Sequence, residues 1–405
     1  MTDSVVGTSP MGKRAAHGGD GATSRMVKLA KLLTFDAVPE RIVDTADETF
    51  VTVRSKCGGA VERPIKDGKT PVAFTGYRIH AGQLVYSRID ARNNAFAIVP
   101  DELDGAVVSK DFPVFRIDES QVLPAYLMHF FRAGQLQRAI QQRSKGITNR
   151  QRIKEEELLA FPVPLPSLSE QRRIVEILDR ADAIRAKRRQ LLADYDELPR
   201  SLFVEMFGDP VSNPKGWEYA ALSALGSVER GVSKFRPRNA PELLGGPYPL
   251  IQTGDVTHAK LYIRDYTSTY SELGLSQSRM WHRGTLCITI AANIAQTAIL
   301  DFDACFPDSV VGFVANENTN NLFIHYWFTF FQEILERQAP ESAQKNINLK
   351  ILSKLEVILP PLALQREFAR RVEAIAAARA KAERALALDD ELFASLQSRA
   401  FRGAL

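Results

Sequence analysis

The sequence predicts an α+β protein in which two globular mixed α/β domains are separated by two long antiparallel coiled-coil-like helices, with pseudo-two-fold symmetry. Three observations carry this expectation. Residues 163–208 align with residues 357–402 at a constant offset of 194 and without a gap, pairing Gln171 with Gln365, Arg185 with Arg379, Lys187 with Lys381, Asp196 with Asp390 and Phe207 with Phe401. Each copy opens on the same kind of signal, VPLPSLSEQR at 163–172 and VILPPLALQR at 357–366. The stretches ahead of the copies follow a common order of strand-like runs and an aromatic-rich helix. A repeated charged helix set after each of two dissimilar globular stretches is the pattern of a pseudo-symmetric molecule with two different readers.

In chain order, residues 1–24 are rich in Gly, Ser and Thr and lack the apolar centre of a signal peptide, so they read as a disordered leader, with Met26 as an alternative start. The first domain is expected over 25–165. Its strand-like runs are PVAFTGYRI, QLVYSRI, NAFAIV and AVVSKDFPVFRI, followed by the helical PAYLMHFFRAGQLQRAI. The first long helix is expected over 166–208. There Ile174, Ile177, Ala181, Ile184, Leu191, Tyr195, Leu198 and Leu202 recur at spacings of three and four, interrupted by Arg188, which predicts a seam of roughly four heptads. Thirty-odd residues at the helical rise give a rod of roughly 50 Å. Pro199 removes a backbone donor and is expected to kink or break the rod near its last turns. The second domain, 209–358, has the runs YPLIQT, KLYIRDY, TLCITI and SVVGFVA and the helical NLFIHYWFTFFQEILERQ. The second long helix, 359–405, keeps a drifting stripe of Phe368, Val372, Ile375, Ala382, Leu386, Phe393 and Leu396. With Phe393 where the first copy has Pro199, it is expected to be straighter.

Composition bounds the chemistry. The 405 residues carry 52 Lys and Arg against 48 Asp and Glu, a net charge of +4 that is compatible with nucleic acid and does not establish it. Cys57, Cys287 and Cys305 are odd in number and far apart, the pattern of a reduced, cytoplasmic protein with neither a disulfide framework nor a zinc site. The longest uncharged stretch, 284–300, is interrupted by Thr, Asn and Gln and reads as strand and turn, so no membrane segment is expected.

No phosphate-loop, methyl-donor, HExxH or GxSxG pattern is present, so no catalytic residue is expected. The dipeptides Pro100-Asp101 and Pro307-Asp308 are not followed by the acidic-x-Lys triplet of a nuclease. The six histidines show no i,i+4 pairing suited to a metal. What remains is polar loops suited to reading DNA. Ahead of the closing strand of the first domain, RSKGITNRQR offers Lys145, Thr148, Asn149 and Arg150; the corresponding place in the second offers Gln344, Lys345, Asn346 and Asn348. Lys, Arg and Thr hold phosphates, Asn and Gln pair bidentately with adenine, and Arg pairs with guanine. A second pair of loops presents Arg88, Arg92, Asn93 and Asn94 in one domain and Asn293 and Gln296 in the other. Such residues also favour ordinary solvated turns; the matched positions in both domains argue for recognition.

LPSLSEQRRIVEIL, repeated as LPPLALQREFARRV, resembles the sequence that opens each conserved helix in the specificity subunits of type I restriction-modification systems. The tails ELPRSLFVEMFGD and ELFASLQSRAFRGAL resemble the ends of those helices, and KDFPVFRI and FPDSVVGFV resemble strands of that family's two target-recognition domains. The resemblance covers residues 26–405; the weaker heptads of the second helix and the leader depart from it. It implies a non-catalytic, DNA-binding subunit that reads the two halves of a split, asymmetric site in double-stranded DNA. It implies docking of two methyltransferase (modification) subunits on the helices, through Arg185, Lys187, Arg379 and Lys381, and the joining of motor-nuclease (restriction) subunits. S-adenosylmethionine, ATP and Mg would then be bound by those partners and no cofactor by this chain. Two other readings stay open on the residues. One is the specificity subunit of a type IIB-like system with a fused methyltransferase-nuclease partner. The other is a coiled-coil protein-interaction scaffold.

Overall fold

The computed structural model describes residues 25–65, 72–143, 152–291, 294–331, 334 and 348–405; the expected leader lies outside them. The chain divides into two compact units, one of residues 1–187 with 386–405 and one of residues 188–385.

In the first unit the strand Arg25–Lys28 pairs antiparallel with Pro162–Leu165, setting Val27 opposite the buried Val163. A four-stranded sheet runs in the order Leu33–Phe35, Val114–Ile117, Leu84–Tyr86, Phe96–Ile98. Leu84, Val85 and Tyr86 are all fully buried, which is why this strand reads as an unbroken apolar run and not as an alternating one. The helix Pro124–Arg132 covers the sheet, with Phe131 stacked on Phe96 at 4.4 Å between ring centroids. Its proline sits in the first turn, where the missing N–H has no intrahelical partner to lose. A three-stranded sheet of Pro39–Ile42, Phe74–Arg78 and Val107–Ser109 gathers Arg78 between Glu40 and Glu48, both at 2.8 Å.

The second unit repeats this plan. Tyr219–Ala221 pairs with Glu356–Ile358, as the first strand pair does in the other unit. A five-stranded sheet runs Gly226–Arg230, Val310–Ala315, Leu286–Thr289, Thr297–Leu300, Tyr262–Ile263, so its first four strands match the four-stranded sheet in order. The helix Asn321–Phe328 is capped by Asn320, whose side chain accepts from Leu322 N at 2.8 Å. Trp281 stacks on Phe306 at 4.8 Å, and Gly312 makes room for it: a Cβ there would stand 2.5 Å from the indole.

Two helices dominate the remainder, α1 (Leu168–Phe207) and α2 (Leu362–Ala400). Each begins on a fully buried glutamine. Gln171 accepts from Leu123 N and donates to Gln121 O and Pro166 O at 2.9–3.0 Å. Gln365 accepts from the Thr319 hydroxyl at 2.9 Å and Asn320 N at 3.2 Å, and donates to Pro360 O at 2.8 Å. The ends of the helices are matched too. Phe207 packs against Phe368 and Phe323 in the second unit, and Phe401 packs against Tyr126 and Phe130 in the first. Within each unit the two helices run antiparallel: Arg185 meets Asp390 and Arg173 meets the carbonyl of Leu405 in the first, while Asp196 meets Arg379 and Phe203 meets Phe368 in the second.

Two expectations are corrected. The seam does not follow the predicted stripe, since Ile184, Leu191 and Leu198 are 52%, 37% and 44% exposed, while Ile174, Leu178, Leu202 and Phe203 are buried. Positions seven apart drift by about 20° per heptad on a straight helix, so one stripe leaves the contact face. Nor is α1 broken: it continues through Pro199 to Phe207. Pro199 is itself buried, and Leu202, Phe203 and Phe207 beyond it belong to the core of the second unit. That packing outweighs one missing backbone bond.

Candidate nucleic-acid interface

In the first unit the chain leaves Leu84–Tyr86 into Ser87 and Arg88, and this short segment is tied to Asp111 and Ile153. Arg88 N donates to Asp111 O at 2.9 Å, Ile153 N donates to Arg88 O at 3.2 Å, and Tyr86 Oη donates to Ile153 O at 3.2 Å. The Arg88 guanidinium is ion-paired with Glu155, and Arg152 pairs with Asp111 at 3.0 Å. Arg88 therefore ties the end of Leu84–Tyr86 to Ile153 and to Glu155 at the start of the helix Glu155–Leu159. Lys145, Thr148, Asn149 and Arg150 lie outside the described residues, as do Asn293, Gln344, Lys345 and Asn346.

The turn Ala91–Asn93 brings Arg92, Asn93 and Asn94 together. Asn94 has φ 56°, the left-handed conformation that Asn tolerates better than most residues. Its amide donates to Gln137 Oε1 at 3.2 Å, and its own Oδ1 is buried with no partner among the described residues. Asn93 is exposed. The loop Arg54–Gly59 packs on the same turn: Lys56 N donates to Asn93 O at 2.7 Å and Cys57 N to Asn94 O at 2.6 Å. The exposed Arg54 and Lys56 thus join Arg92 and Asn93 on one surface. Sequence reasoning missed both. Their signal was the basic RSKCGG turn, whose paired glycines mark a reversal.

In the second unit Gln296 is exposed and its backbone N–H donates to Thr289 Oγ1 at 3.0 Å. It lines a cleft of about 630 Å³ together with Tyr195, Lys260, His325, Tyr326 and Arg379. His325 meets Thr297 Oγ1 at 2.9 Å, and burial pushes its pKa down to about 4, so the ring is neutral at pH 7. Asn348 caps the helix Leu349–Ser353 by accepting from Ile351 N at 3.1 Å, which occupies its side-chain oxygen.

The four cations expected at docking surfaces fall into two kinds. Arg185 bridges Asp182 and Asp390 at 2.7 and 2.6 Å and lies over the Phe393 ring at 4.2 Å. Its counterpart Arg379 bridges Asp196 and Glu383 at 2.6 and 3.1 Å. Burial works against the charge of Asp196, but hydrogen bonds from Arg379 and Lys260 outweigh it and hold the carboxyl below its usual range. These two arginines hold helix to helix. Lys187 and Lys381 are exposed.

Among the described residues no group of three or more His, Cys, Asp or Glu is placed to hold a metal ion, and no helix is long and apolar enough to cross a membrane.

Comparison with known proteins falls in line with this geometry. The type I restriction modification DNA specificity domain matches residues 65–193 and again residues 214–386. The chain is 21% identical over 314 residues to the protein assigned in Methanocaldococcus jannaschii as the MjaX type I restriction enzyme specificity subunit, covering 74% of this chain and 72% of that one. Its fold is similar to the crystal structure of an HsdS subunit from Thermoanaerobacter tengcongensis, with TM-score 0.50, 22% identity and 94% and 97% of the two chains covered. It is also similar to a chain solved in a study of complex assembly and conformational transition of the type I R-M system, with TM-score 0.62, 19% identity and 94% and 98% covered.

Proposed function

The chain belongs to the type I restriction modification DNA specificity family, and on that premise we propose that it reads a bipartite, asymmetric site in double-stranded DNA, one half-site per unit. It performs no chemistry of its own. Two methyltransferase subunits and the motor-nuclease subunits dock on it and bring S-adenosylmethionine, ATP and Mg. One observation supports this most strongly. The two units share sheet order, strand pairing and buried glutamines, yet carry different loops at corresponding places, such as Ala91–Asn93 with its Arg92 against the Gln296 turn. A common scaffold with unlike loops reads two unlike half-sites. In the first, Arg54, Lys56, Arg92 and Asn93 face the DNA. Exposed residues offer partner surfaces on each unit by itself, Lys187 and Ile184 on the first and Lys381, Leu191 and Leu198 on the second.

The test is binding of the full chain to duplex DNA over a range of salt. Phosphate neutralisation predicts that log K falls linearly with log salt, with a slope of about −0.9 per phosphate contacted. Salt-insensitive binding, or methylation or cleavage by this chain alone in the presence of methyl donor, ATP and Mg, overturns the proposal.

A further inference from the structure

Beyond the turns already described, the second unit carries a basic loop with no counterpart among the described residues of the first. Between the buried Ser233 and Ala240, all of Lys234, Phe235, Arg236, Pro237, Arg238 and Asn239 are exposed. The loop is nevertheless fixed in shape. Gln277 Oε1 accepts from Lys234 N at 2.6 Å and Phe235 N at 3.0 Å, and Arg236 Nη1 donates to Ser233 O at 2.6 Å. Asp308, the second residue of the Pro-Asp dipeptide at 307–308, draws in both guanidinium groups, Arg238 at 2.5 Å and Arg236 at 3.6 Å.

Three features of this loop point to an anionic ligand. Its cations outnumber the carboxylate that holds them, three against one, and Arg236 and Arg238 remain 54% and 45% exposed. Phe235 keeps its ring 40% exposed beside them. At the root of the loop, the Ser233 hydroxyl and the Gln277 amide nitrogen are buried with no partner among the described residues, and Ser233 is only 6% exposed. Buried polar groups are nearly always satisfied, and two unmet donors under a basic loop are the groups that a seated anion would complete. In the first unit the segment that follows the matching strand Leu33–Phe35 carries five carboxylates, Asp36, Glu40, Asp44, Asp47 and Glu48, against the single cation Arg41, and the neighbouring Arg78 is held by Glu40 and Glu48.

We propose that Lys234–Asn239 grips the phosphate backbone of DNA at the half-site read by the second unit. Lys234, Arg236 and Arg238 take phosphate oxygens, Phe235 packs against the sugar edge, and Asp308 and Gln277 are positioning residues that present the cations. The inference rests on the DNA-reading function and adds to it a contact confined to one half of the site.

The experiment measures the affinity of the full chain for a mixed-sequence DNA duplex over a range of salt. Lys234→Ala, Arg236→Ala and Arg238→Ala are compared with the charge-keeping Arg236→Lys and Arg238→Lys, and thermal unfolding of each variant is followed alongside. Each alanine variant is expected to weaken binding to any sequence and to lower the salt slope by about one, whereas the lysine variants keep the slope. Salt-dependent binding by the unaltered chain, with the same slope in the triple alanine variant, overturns the loop assignment alone. Absence of salt-dependent binding by the unaltered chain overturns the DNA-reading function and this inference with it.

Discussion

Replacing Gln365 by Leu removes the polar end of a fully buried side chain while keeping its bulk. Four groups then lose a partner: the Thr319 hydroxyl, the Asn320 N–H and the Pro360 and Asn318 carbonyls, which Gln365 now meets at 2.9, 3.2, 2.8 and 3.4 Å. Each buried group left unmet costs about 1–3 kcal/mol, so losing the three shortest of these bonds should cost about 3–9 kcal/mol, less whatever the added apolar burial returns. Against a typical domain stability of about 5–15 kcal/mol that is a large share. The loss should be local, because every one of these partners lies in the second unit. Hydrogen exchange read by mass spectrometry separates the units: peptides around 318–323 and 358–366 should lose protection while those around 121–127 and 162–171 keep theirs. Gln171→Leu should give the mirror result. A cost below about 1 kcal/mol, or equal loss of protection in both units, would refute the claim that each glutamine ties a helix start to its own domain.

Phe401→Ala and Phe207→Ala should each cost about 3–5 kcal/mol in denaturant unfolding, because each ring fills an aromatic cluster. A cost under about 1 kcal/mol would mean that these helix ends are not core. His325 is buried with its pKa pushed down to about 4, so the unfolded chain binds its proton first. Stability should be untouched above about pH 6.5 and fall as pH drops toward 4, by roughly 3 kcal/mol at most, and His325→Gln should flatten that part of the urea-midpoint profile. Charge reversal at the exposed Lys187 and Lys381 should weaken capture of methyltransferase subunits in pull-downs without changing the melting curve, whereas reversal at Arg185 or Arg379 should lower the melting temperature as well. Undiminished capture by the lysine variants would remove them from the docking surface.

The repeat at offset 194 made the two long helices legible, because a conserved heptad-like pattern over thirty-odd residues is a long, redundant signal. Runs such as QLVYSRI and TLCITI were legible for the same reason: they are central strands buried on both faces. The short strand RMVK at 25–28 was not, since its single buried residue, Val27, gives no period and its place is set by pairing with a strand more than 130 residues away. The contact face of α1 escaped because composition does not say where helical drift carries Ile184 and Leu191, and because polar residues fill part of the seam. Arg185 and Arg379 read as surface charge in the sequence; only the fold sets Asp390 and Asp196 beside them. The Lys234–Asn239 loop escaped because loops with counterparts in both domains were the ones that stood out.

The central claim is that each unit reads its own half-site. The most direct measurement replaces residues 25–165 with the first domain of another family member, assembles the chain with its methyltransferase subunits, and sequences the methylated sites. One half of the recognition site should change while the other persists. A change in both halves, or in neither, would contradict independent reading by the two units.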